Sequence, residues 1–234
     1  FYGMGCYQIF EKMNIKPKFG KDKYFDSSND IAGKGRVSNV NLSEEFKKSG
    51  ITLKTVRVEK NGRIEQSMSF ENIDYKEVYE CGNWEDSRLY EIFSNRFMFV
   101  VYRNTDTKME DDIYLEWLSK KNQARVEEGK KPMRQEDRYE LESVFFWTMP
   151  QDDLELARQY WEDIRAKIKA GNIKNGVFWK LQDKRNFHVR PKGRVSADKA
   201  VNPATGIQDA DKLCYWFNGD YVKEIIKENT NQKN

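Results

Sequence analysis

Glu45-Phe-Lys-Lys-Ser-Gly-Ile-Thr-Leu-Lys-Thr55 (EFKKSGITLKT) is the stretch that decides how this chain folds. A short charged segment meets a glycine turn and then a strand in which successive side chains point to opposite faces. Thr52 and Lys54 share one face, and Ile51 and Leu53 share the other. A carboxylate, a tight turn and a polar strand face is one way to build a metal-dependent hydrolytic site. Two carboxylates hold a divalent ion through hard oxygen ligands. A lysine on the same strand face orients water or stabilises charge developing on a phosphate.

Working outward, Gly5 to Met13 reads as a helix and is followed by a Lys/Asp/Gly/Asn-rich loop through Gly35. Ile51–Val58 is the strand just described, and Asn61-Gly62 predicts a hairpin into a second strand near Ser67–Phe70. Trp84-Glu-Asp-Ser opens a helix whose Leu89, Ile92 and Phe93 fall at helical spacing. The run Phe97–Tyr102 (FMFVVY) is apolar on both faces, as a covered central strand should be. Residues 104–140 are charged and read as a helical surface insertion anchored by Trp117 and Leu118. Glu142–Met149 predicts a further strand. Asp152 then caps a helix, with Glu155 completing the capping pattern, Ala157, Tyr160, Trp161, Ile164 and Ile168 forming its buried stripe, and Gly171 ending it. Val177–Leu181 and Phe187–Arg190 are strand-like, and Leu213–Phe217 leads to a final short helix. The order of elements is mixed α/β.

With 234 residues, 34% charged and 14% aromatic, the chain can bury a core and is not of disordered composition. No apolar run approaches the roughly 20 residues of a membrane helix, which predicts a cytoplasmic protein without a membrane partner. Cys6, Cys81 and Cys214 are widely spaced and odd in number, and read as reduced structural thiols. A net charge of only +3 makes no case for nucleic acid by itself, so any such case rests on where the cations sit. The chain opens on Phe1 rather than Met and is read as part of something longer.

The decisive stretch resembles the MutH family of GATC-specific endonucleases. That family's pattern is Asp-Phe, four residues ending in Gly, an apolar residue and then Glu-Leu-Lys-Thr. Phe46, Gly50, Leu53, Lys54 and Thr55 match it in register. Further matches are GMGCYQIFEK at the start, the Asn-Gly turn followed by SMSF, WEDS leading to FMFVVY, and HVRPKG near the end. The resemblance runs from Gly3 to about Ile226, apart from the charged insertion. It implies a restriction-endonuclease-like core, with a mixed sheet flanked by helices, as a single MutH-like domain over residues 1–234. In particular, the chain resembles the C-terminal, catalytically degenerate half of the staphylococcal Sau-type GATC-cutting type II restriction enzymes.

The departures from the pattern imply a cutting site that has been dismantled. Glu45 stands where the family has its first catalytic Asp, and neutral Thr52 where it has the catalytic Glu. The lysine carried by family nucleases in the next helix aligns near Phe93, while Glu11 and Lys54 survive. Loss of a charged oxygen ligand leaves too few for a divalent ion, so Glu11, Glu45, Thr52 and Lys54 are read as degenerate and metal-free. The family's DNA-reading positions are better kept. By the resemblance, Arg190, Lys192 and Tyr221 read GATC from the major groove, Pro191 and Gly193 belong to the same DNA-binding segment, and Ser69 and Phe70 reach DNA from the other side. Arg or Lys donating to guanine O6 and N7 suits that role, and Pro191 fixes the backbone between two cations. Arg194, Lys184, Arg185, Lys34 and Arg36 are candidate phosphate contacts, and His188 is a strand residue packed beside the DNA face rather than a general base.

These readings predict a pseudo-nuclease that binds duplex DNA at GATC and acts as the allosteric effector of a type II restriction endonuclease. Its partners are then GATC-containing double-stranded DNA and a catalytic MutH-like domain in the same longer chain, with dimerisation on DNA left open. No cofactor is expected here, and magnesium is expected for the full-length deoxyribonuclease. Two alternatives stand beside this reading. One is an active magnesium-dependent GATC endonuclease using Glu45 with Glu11 or a backbone carbonyl; the other is a dimerisation module without sequence preference.

Overall fold

The computed structural model describes residues 1–20, 22–64, 67–173, 177–191 and 199–230. In chain order the elements are α1 (Cys6–Lys12), α2 (Lys23–Gly33), α3 (Glu44–Lys48), β1 (Ile51–Val58), β2 (Met68–Asn72), α4 (Tyr75–Glu80), α5 (Arg88–Ser94) and β3 (Arg96–Lys108). They continue with α6 (Asp112–Glu127), β4 (Asp137–Thr148), α7 (Gln151–Lys169), β5 (Phe187–Pro191), β6 (Lys199–Ala200), β7 (Ala210–Asp211), β8 (Leu213–Phe217) and α8 (Gly219–Thr230). The chain is α/β, with sheet flanked by helices, compatible with a restriction-endonuclease-like fold. It divides into two compact units, Phe1–Glu65 with Phe97–Trp147 and Gln66–Arg96 with Thr148–Asn234.

The first unit is built on a sheet of order β1-β3-β4. β3 is the middle strand, and Phe97, Phe99, Val100, Val101 and Tyr102 are all fully buried, as the apolar run requires. The Phe99 ring stacks on Phe145 at 5.2 Å, and Phe97 lies 5.6 Å from Trp147. Val100 and Tyr102 instead join a cluster with Cys6, Ile9 and Phe10 of α1, Tyr24 of α2 and Leu53 of β1. The charged stretch 104–140 is helical only over α6, because β3 and β4 extend into it from either side. Tyr114 and Leu118 bury one flank of α6, and Trp117 stacks on Phe19 at 5.1 Å.

Helix α2 replaces the loop expected before Gly35. Its buried side is polar: Ser27, Ser28, Asn29 and Asp30 are nearly inaccessible. The Tyr102 hydroxyl hydrogen-bonds Ser27 at 2.9 Å. Asn29 donates to the Val37 carbonyl at 2.8 Å and accepts from the Val40 amide at 2.7 Å. Buried polar groups are tolerated when satisfied in this way. Gly33 is required by close approach, since a Cβ there would lie 2.5 Å from Val37 and 2.7 Å from Val40.

The second unit holds an antiparallel sheet of order β2-β8-β5. The Asn61-Gly62 turn forms, and among the described residues it closes a single bridge, between Val58 and Ile64. β2 therefore does not return along β1. It pairs with β8, Met68 opposite Phe217 and Ser69 opposite Trp216, where Phe70 finds aromatic neighbours. On α7 the stripe Ala157, Tyr160, Trp161, Ile164 and Ile168 is buried as expected. The helix starts two residues earlier than the capping pattern placed it, with Pro150 at the N-cap and Asp152 already in the first turn. There the carboxylate favours the helix dipole without a capping bond, and Glu155 pairs with Arg158 instead. Residues 177–181 form no strand. A 3-10 turn at Leu181–Asp183 takes over after Lys180, whose amide is capped by the Asp183 carboxylate at 2.8 Å.

Candidate nucleic-acid interface

The residues read as a degenerate cutting centre lie in the first unit. Ser43 caps α3 by accepting from the Phe46 amide, and Gly50 turns the chain into β1 with φ of 57°. That geometry leaves Glu45 exposed on a five-residue helix. On β1, Leu53 enters the core, while Thr52 and Lys54 are half-buried on the face that also carries Val56 and Val58. Leu53 is held from outside the strand: its amide donates to the Asn41 side chain at 2.6 Å, and its carbonyl accepts from the same amide group at 3.3 Å. Asn41 thus acts as a one-residue substitute for a neighbouring strand, fixing the backbone between Thr52 and Lys54. Glu11 is exposed on α1, along a shallow groove with Gln8, Lys12 and Arg138.

Among the described residues, no group of three or more His, Cys, Asp or Glu side chains is arranged to hold a metal ion. Thr52 brings no charge, and Glu45 is solvent-facing. Magnesium is usually held by one or two carboxylates with water and phosphate oxygens completing the shell, and the polar face of β1 offers it none.

The residues read as DNA contacts lie in the second unit, apart from Lys34 and Arg36. Those two are exposed at the end of α2, with Lys34 in the left-handed region. Arg190 and Pro191 close β5, both exposed. Lys192, Gly193 and Arg194 lie outside the described residues. The Arg190 guanidinium stands 4.3 Å from the centre of the Trp216 ring, and the Trp216 indole donates to the Arg190 carbonyl at 3.2 Å. Arg185 stands in the same way 4.1 Å over Trp179, whose carbonyl accepts from the Val189 amide at 2.9 Å. Lys184 is exposed at the left-handed end of the 3-10 turn.

The other DNA candidates are built into the fold. Phe70 is 6% exposed and packs 5.2 Å from Phe93 and 4.6 Å from Phe217. Ser69 is half-buried opposite Trp216. Tyr221 is half-buried on α8 and donates its hydroxyl to Asp153 at 2.8 Å. Its ring meets Phe187 and Phe217 edge-on, and burial with the adjacent carboxylate drives its pKa far above the usual phenol value. Phe93, near which the resemblance placed a family lysine, is fully buried. Sequence reasoning missed Trp216, Trp179 and Asp153. The two indoles would have stood out only once each was seen beneath a basic residue, Trp216 across the β5-β8 pair and Trp179 in the segment before β5.

His188 is fully buried on β5, opposite Trp216 in register and stacked on it at 6.1 Å. Neither ring nitrogen has a hydrogen-bond partner among the described residues. Burial, and secondarily the Arg190 charge, pull its pKa down from 6.5 to about 4. The unfolded chain then binds this proton near pH 6.5 while the native state does not until about pH 4. The stability this neutral imidazole contributes is present above pH 6.5 and is lost as pH falls toward 4, with a limiting slope of about 1.4 kcal/mol per pH unit. His188→Phe, which keeps a ring against Trp216, should flatten the fall of Tm between pH 6.5 and 4. Melting curves of the two proteins that stay parallel over that range would assign the acid sensitivity to carboxylates elsewhere.

No family model matches the chain. It is similar to the type II restriction enzyme Sau3AI of Staphylococcus aureus, with 25% identity over 228 residues, covering 79% of this chain and 40% of that enzyme. The chain thus spans less than half the length of that relative, and the likeness supports a relationship to restriction endonucleases.

Proposed function

We propose that this chain is a sequence-specific double-stranded DNA-binding module of a type II restriction endonuclease, recognising GATC and acting as an effector rather than a cutter. The observation that carries the reading is the state of its arginines. Arg88, Arg103, Arg138 and Arg158 are all paired with carboxylates. Arg185 and Arg190 form no ion pair among the described residues and lie 4.1 and 4.3 Å over indole rings, closer than Arg165, which lies 5.4 Å over Trp161 and also donates to the Cys81 carbonyl. A stacked guanidinium keeps its in-plane N–H fork available to phosphate or to guanine O6 and N7. Lys192, next to this strand end, belongs to the same reading, and Tyr221 supports it from behind by packing under β5.

The relative's printed activity as a restriction enzyme supports DNA as the partner. The poverty of charged ligands around Thr52 supports the second half of the proposal, a MutH-type site that no longer holds metal. Magnesium and cleavage would then belong to a catalytic MutH-like domain elsewhere in the full-length enzyme, in the cytoplasm where restriction acts.

Fluorescence anisotropy with labelled duplexes tests the binding. The expected result is tighter binding to a GATC duplex than to a scrambled one, with affinity falling steeply as salt rises. Equal binding to both would sink the specific reading and favour a dimerisation module. A plasmid-nicking assay in magnesium or manganese tests the rest, with no cleavage expected. Metal-dependent cutting that Glu45→Ala and Lys54→Ala abolish would make the chain an active endonuclease instead.

A further inference from the structure

We propose that Trp216 is the positioning residue that aims Arg190 at a base edge, an inference that rests on the DNA-binding reading above. In the β5-β8 pair, His188 lies opposite Trp216 and Arg190 opposite Cys214. Arg190 is therefore the diagonal neighbour of Trp216 on one sheet face, a spacing that long side chains bridge. The indole engages Arg190 twice. Its ring face lies under the guanidinium at 4.3 Å, and its N–H holds the Arg190 backbone carbonyl at 3.2 Å. Trp216 is itself anchored, at 8% exposure and with the buried His188 ring stacked on it.

The geometry suits reading rather than mere charge. Two parallel hydrogen bonds to guanine O6 and N7 lie in the plane of the guanidinium. A platform that occupies one flat face leaves that plane open and removes much of the rotamer freedom of a long side chain. A phosphate contact depends less on such alignment, because its oxygens can be approached from many directions, and Trp216 adds a second hold on the arginine through its bond to the Arg190 carbonyl. Trp216 should therefore govern discrimination between sequences more than total affinity for DNA.

Anisotropy titrations of wild type, Trp216→Leu and Trp216→Phe against GATC and scrambled duplexes decide the matter. Trp216→Leu should lower the preference for GATC by tenfold or more, while affinity for the scrambled duplex changes by less than twofold. Trp216→Phe keeps an aromatic face and should restore most of the preference. In the DNA-free protein, the Arg190 Nε–H resonance should be displaced upfield by the indole ring current and return in Trp216→Leu. A preference that survives Trp216→Leu, or equal losses on both duplexes, overturns the positioning role while leaving DNA binding intact. Wild type without any preference overturns the DNA reading and this role together. Should Trp216→Leu not fold, the wild-type spectrum decides, since an Arg190 Nε–H resonance at its unstacked position overturns the platform.

Discussion

Replacing Arg190 by alanine should weaken binding to a GATC duplex by about 1–3 kcal/mol and leave little preference over a scrambled duplex. A loss of that size follows from the proposed bidentate contact, since the change removes both donors while the guanine acceptors stay desolvated in the groove. At 1.4 kcal/mol per tenfold, this corresponds to roughly 5- to 150-fold in Kd. Arg185 provides the contrast. It too lies over an indole, 4.1 Å above Trp179, but it precedes β5, next to the exposed turn that ends at Lys184. A phosphate contact from this position carries no sequence information. Arg185→Ala should lower affinity for every duplex alike and reduce the salt slope by about one unit. Lys192→Ala should follow Arg190 rather than Arg185. Should Arg190→Ala instead cost the same on GATC and scrambled duplexes, the residue is a phosphate contact and the specificity lies elsewhere.

Much of this was legible from residues alone, for reasons that differ by element. The FMFVVY run could only be a covered strand, and the Ala157–Ile168 stripe could only be one buried helix face, because in both the apolar period is local. Helix α2 escapes a sequence reading because its buried side is Ser, Ser, Asn and Asp, satisfied by Tyr102, Val37 and Val40 from distant segments. The partner of β2 is misread because an Asn-Gly turn reports only the local reversal. Pairing with β8, more than 140 residues away, is set by Met68 and Phe70 meeting Phe217. The site divides in the same way. That Thr52 brings no carboxylate is visible in one letter, and Arg190 in HVRPKG is visible through resemblance. The Asn41 clamp on Leu53 and the indole beneath Arg190 are not visible, since each joins residues that only the folded chain brings together. Phe70 and Tyr221 illustrate the converse. Aromatic residues near a reading strand also build the wall behind it, and here both rings pack on Phe217.

Cleavage by the full-length enzyme of which this chain is proposed to be a part should run about 5- to 150-fold faster on DNA carrying two GATC sites than on DNA carrying one. That range is the rate equivalent of a coupling free energy of roughly 1–3 kcal/mol, if the coupling is fully transmitted to the cleavage step. On the proposed reading, Arg185 and Arg190, which carry no ion pair among the described residues, hold DNA, and a β1 face bearing Thr52 in place of a carboxylate does not cut it. Such a module influences cleavage only by binding DNA more tightly in the cleavage-competent state than in the idle one, since equal affinity for both states shifts nothing. One site must then occupy this module while the second enters the catalytic domain. A short uncleaved GATC duplex added in trans should accelerate cutting of a one-site plasmid at low concentration. At high concentration it should inhibit, because it then fills the catalytic domain as well. Arg190→Ala in the full-length enzyme should abolish the activation and leave slow single-site cutting in place, since the substitution touches no catalytic group. The linkage is reciprocal, so a non-cleavable duplex bound at the catalytic domain should tighten binding here by the same factor. Equal rates on one-site and two-site plasmids, with no response to added duplex, would leave this chain a tether that raises local DNA concentration and not an effector.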